Sequence, residues 1–306
     1  MLGARPKTAI VGKYEAQTAG PAAATVAGGP RLPGWLAPAC AALLLFVHAG
    51  ISWVTRIPSV TLGHDDAMYV QLARALGEFH YRDLYYVGLP LHVKYPPGYP
   101  ALLALTSPFG ENLDFWIAFG ILCSASALAL MFDVARKRWT VGVALLFLAA
   151  AALNPRVAWY AGRLMTEPPF MLLVALTIWA LARDPVTTRL LWLAGAAAIA
   201  AGLTRSVGVA VVGGVFLLWL MERRWRPAAI LALASVATIG SWMVYTLLTP
   251  DDAHGESYLG DTFLYQDPNA ETPVQRSVGL RLARRSAHHA IDYVTRLIPA
   301  QSPFPT

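Results

Sequence analysis

Charged residues are scarce in this sequence. Asp, Glu, Lys and Arg make up 14% of the 306 residues, and hydrophobic residues make up 56%. Soluble globular domains have roughly 25% charged residues. Together with a mean hydropathy of +0.48, these values exclude an ordinary soluble fold and a disordered chain. The sequence therefore predicts a polytopic membrane protein.

Cysteines and the common nucleotide and hydrolase motifs are also missing or nearly so. The two cysteines, Cys40 and Cys123, lie in apolar segments and give no disulfide framework or CxxC motif. No P-loop, Rossmann glycine pattern, HExxH or GxSxG occurs, so no nucleotide cofactor is indicated. The net charge of +6 does not indicate nucleic acid, because the basic residues form short runs between apolar segments.

The composition changes along the chain and predicts three regions. Residues 1–33 are rich in Ala, Gly and Pro and are expected to form a disordered cytoplasmic tail. Residues 34–250 contain the apolar segments and are expected to form the transmembrane domain. Within it, 55–114 is expected to be a long extracytoplasmic loop. Residues 251–306 are expected to be an extracytoplasmic tail with a basic amphipathic helix.

Apolar segments predict an all-α domain of about seven transmembrane helices. A spanning helix needs about 20 residues, and the third to fifth segments are short for that length. The segments are Trp35–Val54, Phe115–Phe132, Trp139–Leu153, Pro168–Ala182, Leu190–Leu203, Ser206–Met221 and Pro227–Leu248.

Basic runs predict the orientation of these spans. Runs at 136–138, 183–189 and 223–226 occupy alternate connections, on the same side as the basic N-terminal tail. The positive-inside rule places that side in the cytoplasm, and we expect the inner membrane. The residues of possible chemical interest then all lie on the extracytoplasmic side: His64, Asp65, Asp66, Lys94, Arg163, Glu167 and Arg205.

An acidic pair, Asp65-Asp66, opens an apparent helix shortly after the first span. One Asp would suffice to cap the helix and to complement its dipole. The second indicates a site, although capping remains the alternative. The helix looks amphipathic and able to lie in the interface plane. Further on, Pro96-Pro97 predicts an extended stretch before a short helix over 99–107.

Four stretches carry a resemblance to a known family: "DDAMYVQLARAL", "KYPPGYPALLAL", "RLMTEPPFMLL" and "AGLTRSVGV". In this order, after a first span, they resemble the GT-C glycosyltransferases that use polyprenyl-phosphate sugars, of the protein O-mannosyltransferase and aminoarabinose-transferase type. The resemblance implies that Asp65 is the catalytic base and Asp66 its acidic neighbour. The family's lysine usually adjoins the prolines, whereas Tyr95 intervenes here. Family members also continue with further spans, so a truncated or split enzyme is expected.

The expected chemistry matches these residue types. Sugar transfer needs a base for the acceptor hydroxyl of a lipid, glycan or protein, which Asp65 can supply. It also needs cations for the departing phosphate, and Lys94, Arg163 and Arg205 lie near the outer interface.

Other roles stay open. Asp66 could orient the acceptor, act on Asp65 by like-charge repulsion, or hold a divalent metal with Asp65 and His64. Glu167 is either a site residue or a first-turn acid. Arg205 is either a phosphate ligand or a snorkelling arginine.

Two other functions agree with the same sequence. A transporter or flippase also places charges along a substrate pathway, although no internal repeat is evident and the charges gather at one face. A non-catalytic partner subunit with a GT-C-like fold is the second alternative.

Overall fold

The structure, a computed structural model, describes residues 33–60, 65–85, 87–106 and 112–249, together with Ala287 and Ile291. The predicted tail over 1–33 lies outside the described residues except for Pro33. The basic amphipathic helix predicted within 251–306 lies outside them too, except that Ala287 and Ile291 are helical.

The regular secondary structure of the described ranges is helical, and the stretches over 55–60, 78–85 and 87–97 are irregular. An isolated antiparallel bridge pairs Arg82 with Leu91, and no β-strand forms in the described ranges. The helices are α1 (Leu36–Val54), α2 (Asp65–Gly77), α3 (Gly98–Thr106), α4 (Leu113–Arg138), α5 (Val141–Ala152), α6 (Pro155–Ala161), α7 (Glu167–Leu181), α8 (Thr188–Thr204), α9 (Val209–Met221), α10 (Trp225–Ser235) and α11 (Ser241–Leu248).

Three helical stretches are long and apolar enough to cross a membrane: α1, α4 and the continuous 225–248 stretch, in which a π-helical turn over 236–240 joins α10 to α11. The pair α5 and α6 makes a fourth candidate, bent by 59°. The helices α7 and α8 and the 206–221 stretch are apolar but shorter. All seven predicted apolar segments are therefore helical, and three or four of them reach spanning length.

The helix α6 was not predicted. Its residues lie between two of the predicted apolar segments, Trp139–Leu153 and Pro168–Ala182. Asn154 caps it, its side chain accepting a hydrogen bond from the backbone N–H of Arg156, and Pro155 occupies the first turn, where a missing N–H has no cost. The Asn-Pro pair is a helix-start signal that the apolar pattern concealed.

Helices α4, α7 and α8 form the centre of the bundle, with α1 and α5 against α4 and with α9 against α8. The helices α2 and α3, which belong to the loop between α1 and α4, pack on each other, and α3 also contacts α8. This places the loop over one end of the bundle.

The loop helix α2 is buried around most of its circumference, including Asp66, Tyr69 and Leu72. The expectation of one apolar face is therefore not met, and the expected place of the helix in the interface plane stays a prediction. Two of its polar residues, Asp66 and Gln71, are buried in the protein, which a one-face pattern could not reveal.

Candidate functional site

The acidic pair lies at the first turn of α2, where the loop meets the bundle. Asp65 is half-buried, and the phenolic hydroxyl of Tyr95 donates a hydrogen bond to its Oδ1 at 2.5 Å. Asp66 is buried, and its Oδ1 accepts from the backbone N–H of Ala67 at 2.9 Å. The two acids therefore have different surroundings, and Asp66 is more enclosed.

Tyr69 forms the wall beside Asp65. Its ring makes edge contacts with Tyr95 and Tyr99, with centroids 5.0 Å apart in both cases. Burial raises the pKa of Tyr69 well above its ordinary value, and a side-chain hydrogen bond with Thr166 opposes that shift. The negative charges of the Asp65 and Glu167 carboxylates also raise the pKa of Tyr69. Asp65 and Glu167 are therefore both close enough to Tyr69 to act on it electrostatically.

Thr166, Glu167 and Arg205 make the second half of the site. Arg205 Nη1 donates to Thr166 Oγ1 at 2.9 Å and forms an ion pair with Glu167 Oε1 at 2.5 Å. Thr166 is buried, while the side chains of Arg205 and Glu167 are 34% and 23% exposed. Glu167 Oε2 is buried and has no hydrogen-bond partner among the described residues. The side chains of Arg205 and Glu167 are therefore only partly covered by the protein.

The loop reaches Arg205 because of a glycine. A Cβ at Gly98 would lie 2.5 Å from the carbonyl oxygen of Leu203 and 3.0 Å from the backbone nitrogen of Thr204. Only a residue without a side chain allows α3 to start this close to the end of α8. Gly98 directly follows Tyr95, Pro96 and Pro97 in the sequence. The close contact of Gly98 with the end of α8 therefore holds the Tyr95 segment near Arg205.

The remaining predicted cations lie at different positions. The Lys94 Nζ is 5.9 Å from the centroid of the Tyr95 ring, so its charge is beside the phenol that contacts Asp65. The Arg163 guanidinium stacks on Trp159 at 3.9 Å. Its Nε is buried without a hydrogen-bond partner in the described part of the chain. Among the described residues, Arg163 therefore contacts Trp159, whereas Arg205 contacts Thr166 and Glu167.

The metal alternative stays a prediction. Within the described ranges, no group of three or more His, Cys, Asp or Glu side chains could hold a metal ion. His64, the third proposed ligand, lies outside the described residues.

Sequence reasoning missed Tyr69, Tyr95 and Thr166 as members of the site. Tyr69 follows Asp65 by four residues, which puts both on one face of a helix and was a usable signal. Thr166 directly precedes Glu167. Tyr95 was noted only as the residue that separates Lys94 from the two prolines. In the structure its hydroxyl donates a hydrogen bond to Asp65.

Taken together, the fold and the site define a helical membrane protein with paired acids, tyrosines and an arginine at one end of its bundle. No model of a known protein family matches the chain, and no curated protein sequence matches it. The structure is similar to the crystal structure of ArnT from Cupriavidus metallidurans in the apo state, with a TM-score of 0.52 and 16% sequence identity.

This similarity covers 76% of the present chain and 45% of ArnT, so the chain spans less than half the length of that protein. At this level of identity the likeness shows the fold alone, which is a helical membrane fold similar to that of ArnT. It agrees with the fold expected from the four sequence stretches.

Proposed function

We propose that this protein is a membrane glycosyltransferase. It transfers a sugar from a polyprenyl-phosphate donor to an acceptor hydroxyl on the extracytoplasmic side, with Asp65 as general base. The observation that carries the proposal is the close grouping of Asp65 with the Arg205–Glu167 pair around Tyr69 in a GT-C-type fold. The acceptor is a lipid, a glycan or a protein.

The geometry supports the division of roles. Asp65 keeps one carboxylate oxygen, Oδ1, on Tyr95, and its other oxygen is assigned to the acceptor hydroxyl. Arg205, whose guanidinium is partly exposed, is assigned to the donor phosphate, because a guanidinium fork binds phosphate oxygens in pairs. In-line displacement by the activated hydroxyl inverts the anomeric carbon. Arg205 stabilises the negative charge of the leaving phosphate.

Arg163 and Lys94 are assigned to the same donor. A buried N–H without a partner is costly, and an anionic oxygen would satisfy the buried Nε of Arg163. Lys94 contributes a point charge beside Tyr95. Asp66 is assigned to orienting the acceptor from the buried side of Asp65.

The proposed topology has seven crossings, an N-terminus in the cytoplasm and the site on the outer side of the inner membrane. The short helices α7 and α8 and the 206–221 stretch would then cross with little tilt. The lipid donor approaches the loop end of the bundle from the membrane.

A transporter or flippase is the second candidate. It is favoured by two interruptions, the 59° bend between α5 and α6 and the π-helical turn over 236–240. Broken helices line substrate sites in transporters, and π-turns are frequent at functional sites. The glycosyltransferase is preferred because the acids and Arg205 gather at one end of the bundle.

The test is sugar transfer in reconstituted vesicles. Wild type, Asp65→Asn and a control variant, Asp114→Asn, receive radiolabelled polyprenyl-phosphate sugars, and label is counted in lipid, glycan and protein fractions. Asp114 is a suitable control because it is also a first-turn acid near the loop, ion-paired with Arg56 at 2.8 Å. Removing a general base lowers the rate by about 10²- to 10⁴-fold. Asp114→Asn keeps wild-type transfer.

Three outcomes separate the functions. Transfer by wild type that Asp65→Asn loses, with donor binding intact, supports the glycosyltransferase. Movement of labelled lipid across the bilayer without transfer indicates the transporter. Neither activity in the wild-type protein, with intact folding, indicates the non-catalytic partner. A parallel wild-type sample treated with EDTA tests the metal alternative, because a metal-dependent reaction stops there and resumes with added divalent cation.

A further inference from the structure

A buried Asp–His pair lies beside the site, within the loop between α2 and α3. Asp83 and His92 are 6% and 2% exposed. His92 Nδ1 is 2.6 Å from Asp83 Oδ1, and His92 Nε2 is 2.8 Å from the backbone nitrogen of Tyr95. Sequence patterns gave no signal for this pair, because the two residues are nine positions apart in an irregular stretch.

The partners fix the form of the imidazole. A backbone N–H can only donate, so Nε2 of His92 must accept from Tyr95. The proton of the neutral ring is then on Nδ1 and is donated to Asp83. A carboxylate that holds a histidine in one tautomer through Nδ1 also fixes the orientation of the ring.

His92 supports Tyr95 in a second way. The two rings are stacked, with centroids 5.3 Å apart and an interplanar angle of 16°. The edge of Tyr81 closes the other side of the His92 ring at 5.5 Å, and the Tyr81 hydroxyl donates to the Tyr95 carbonyl at 2.7 Å. Both the backbone and the ring of Tyr95 are therefore held from the His92 side.

The loop backbone fixes this arrangement to the rest of the stretch. The Asp83 backbone N–H donates to the Pro90 carbonyl at 2.9 Å, and the His92 N–H donates to the Tyr81 carbonyl at 3.0 Å. These bonds flank the Arg82–Leu91 bridge. Asp83 and His92 are thus brought together by pairing between the two arms of the loop.

We propose that Asp83 and His92 are positioning residues, which hold the Tyr95 phenol at the distance where it donates to Asp65 Oδ1. The chain of hydrogen bonds runs from Asp83 through His92 and Tyr95 to Asp65. Tyr95 touches the acid directly, and the other two act through Tyr95. The inference rests on the proposed role of Asp65 for its effect on rate, but the hydrogen-bond chain itself is tested without catalysis.

Two replacements of His92 separate its two contacts. His92→Asn places an amide N–H near the position of Nδ1, so it keeps the donor to Asp83 and loses the acceptor for Tyr95. His92→Gln places an amide oxygen near the position of Nε2, so it restores that acceptor. His80→Asn is the matched control, because His80 is exposed and belongs to the same loop.

The first readout is labelling of Asp65 by a hydrophobic carbodiimide, quantified on the Asp65 peptide by mass spectrometry. The Tyr95 hydroxyl occupies Oδ1 of Asp65 and shields that oxygen from the reagent. We expect Tyr95→Phe and His92→Asn to increase labelling, His92→Gln to restore low labelling in part, and His80→Asn to match wild type. The proposal is overturned if Tyr95→Phe or His92→Asn leaves the labelling of Asp65 unchanged in folded protein.

The second readout is a double-mutant cycle in the transfer assay. Tyr95→Phe and His92→Asn should each lower kcat by about 10- to 100-fold, the change expected for loss of one hydrogen bond to a charged group. The pair should cost no more than Tyr95→Phe alone, because His92 acts through the phenol. Additive losses overturn the positioning role. Absence of transfer by the wild-type protein counts against the glycosyltransferase only, and the labelling result still decides the inference.

Discussion

Arg205, which directly follows α8, forms an ion pair with Glu167, the first residue of α7. The pair joins one end of each helix, and sequence reasoning placed both ends on the same side of the membrane without predicting contact between them. The guanidinium also donates to Thr166, so it is held by two partners while about a third of it stays exposed. A cation fixed in this manner is oriented before a ligand arrives.

Arg205→Lys tests whether orientation matters in addition to charge. Lysine keeps the charge but replaces the planar fork with a single ammonium. In a titration of initial rate against donor concentration, we expect KM for the donor to rise by about tenfold with Lys, the effect of losing about one charge-assisted hydrogen bond. Arg205→Gln should raise it further.

The control for these variants is Arg189→Gln, which changes an exposed arginine at the start of α8. It should leave KM for the donor at the wild-type value. Equal donor kinetics for wild type and Arg205→Gln would remove Arg205 from the donor site.

Gly98→Ala tests the close approach of α3 to α8. The added Cβ would be 2.5 Å from the Leu203 carbonyl oxygen, and backbone on both sides must shift. We expect the free energy of unfolding in detergent to fall by about 1–3 kcal/mol, as for other overpacked sites. Gly77→Ala is the control, since a Cβ there meets nothing within 4 Å. Equal stability of the two variants would contradict the assigned role of Gly98.

The helices could be predicted from the sequence because apolar runs and their flanking charges are local signals. The predicted first span, Trp35–Val54, and the observed α1, Leu36–Val54, differ by one residue. The bend at Asn154 was missed, because apolar residues continue on both sides and hydropathy does not register a change of direction.

The site was predicted less completely, for a physical reason. Asp65 and Arg205 were found because charges are conspicuous in an apolar chain. Tyr69 and Tyr95 connect them through aromatic contacts and hydrogen bonds over long sequence separations, which leave no periodic pattern.

His48 in α1 is a structural counterpart to the loop histidines. It is fully buried, with Nδ1 2.9 Å from the Ala152 carbonyl oxygen and Nε2 2.9 Å from Ser124 Oγ. It therefore joins α1 to α4 and α5.

His48→Ala should lower the free energy of unfolding by about 2–4 kcal/mol, because it leaves a cavity and two unpaired polar groups. Ser124→Ala should cost less, about 0.6 kcal/mol, a typical value for one hydrogen bond between membrane helices. Unfolding in detergent, followed by circular dichroism, measures both, with the exposed His80→Ala as the neutral control. A His48→Ala protein as stable as the control would show that these contacts contribute nothing.

Alkaline pH should destabilise the loop through its buried tyrosines. Burial raises the pKa of Tyr69, Tyr81 and Tyr99 above the ordinary value of 10.0. Above pH 10.0 the unfolded chain loses phenolic protons that the folded protein retains, so the free energy of unfolding falls as pH rises towards the folded pKa values. Below that pH the stabilisation is fully present.

The measurement is unfolding in detergent at intervals from about pH 9 to about pH 11. Tyr69→Phe removes one group that titrates differently in the two states, so stability should fall less steeply with pH than in wild type. Tyr85→Phe is the control, because Tyr85 is 55% exposed and its phenol is hydrated in both states. If Tyr69→Phe and wild type lose stability with the same slope, Tyr69 does not contribute to the alkaline loss of stability as its burial predicts.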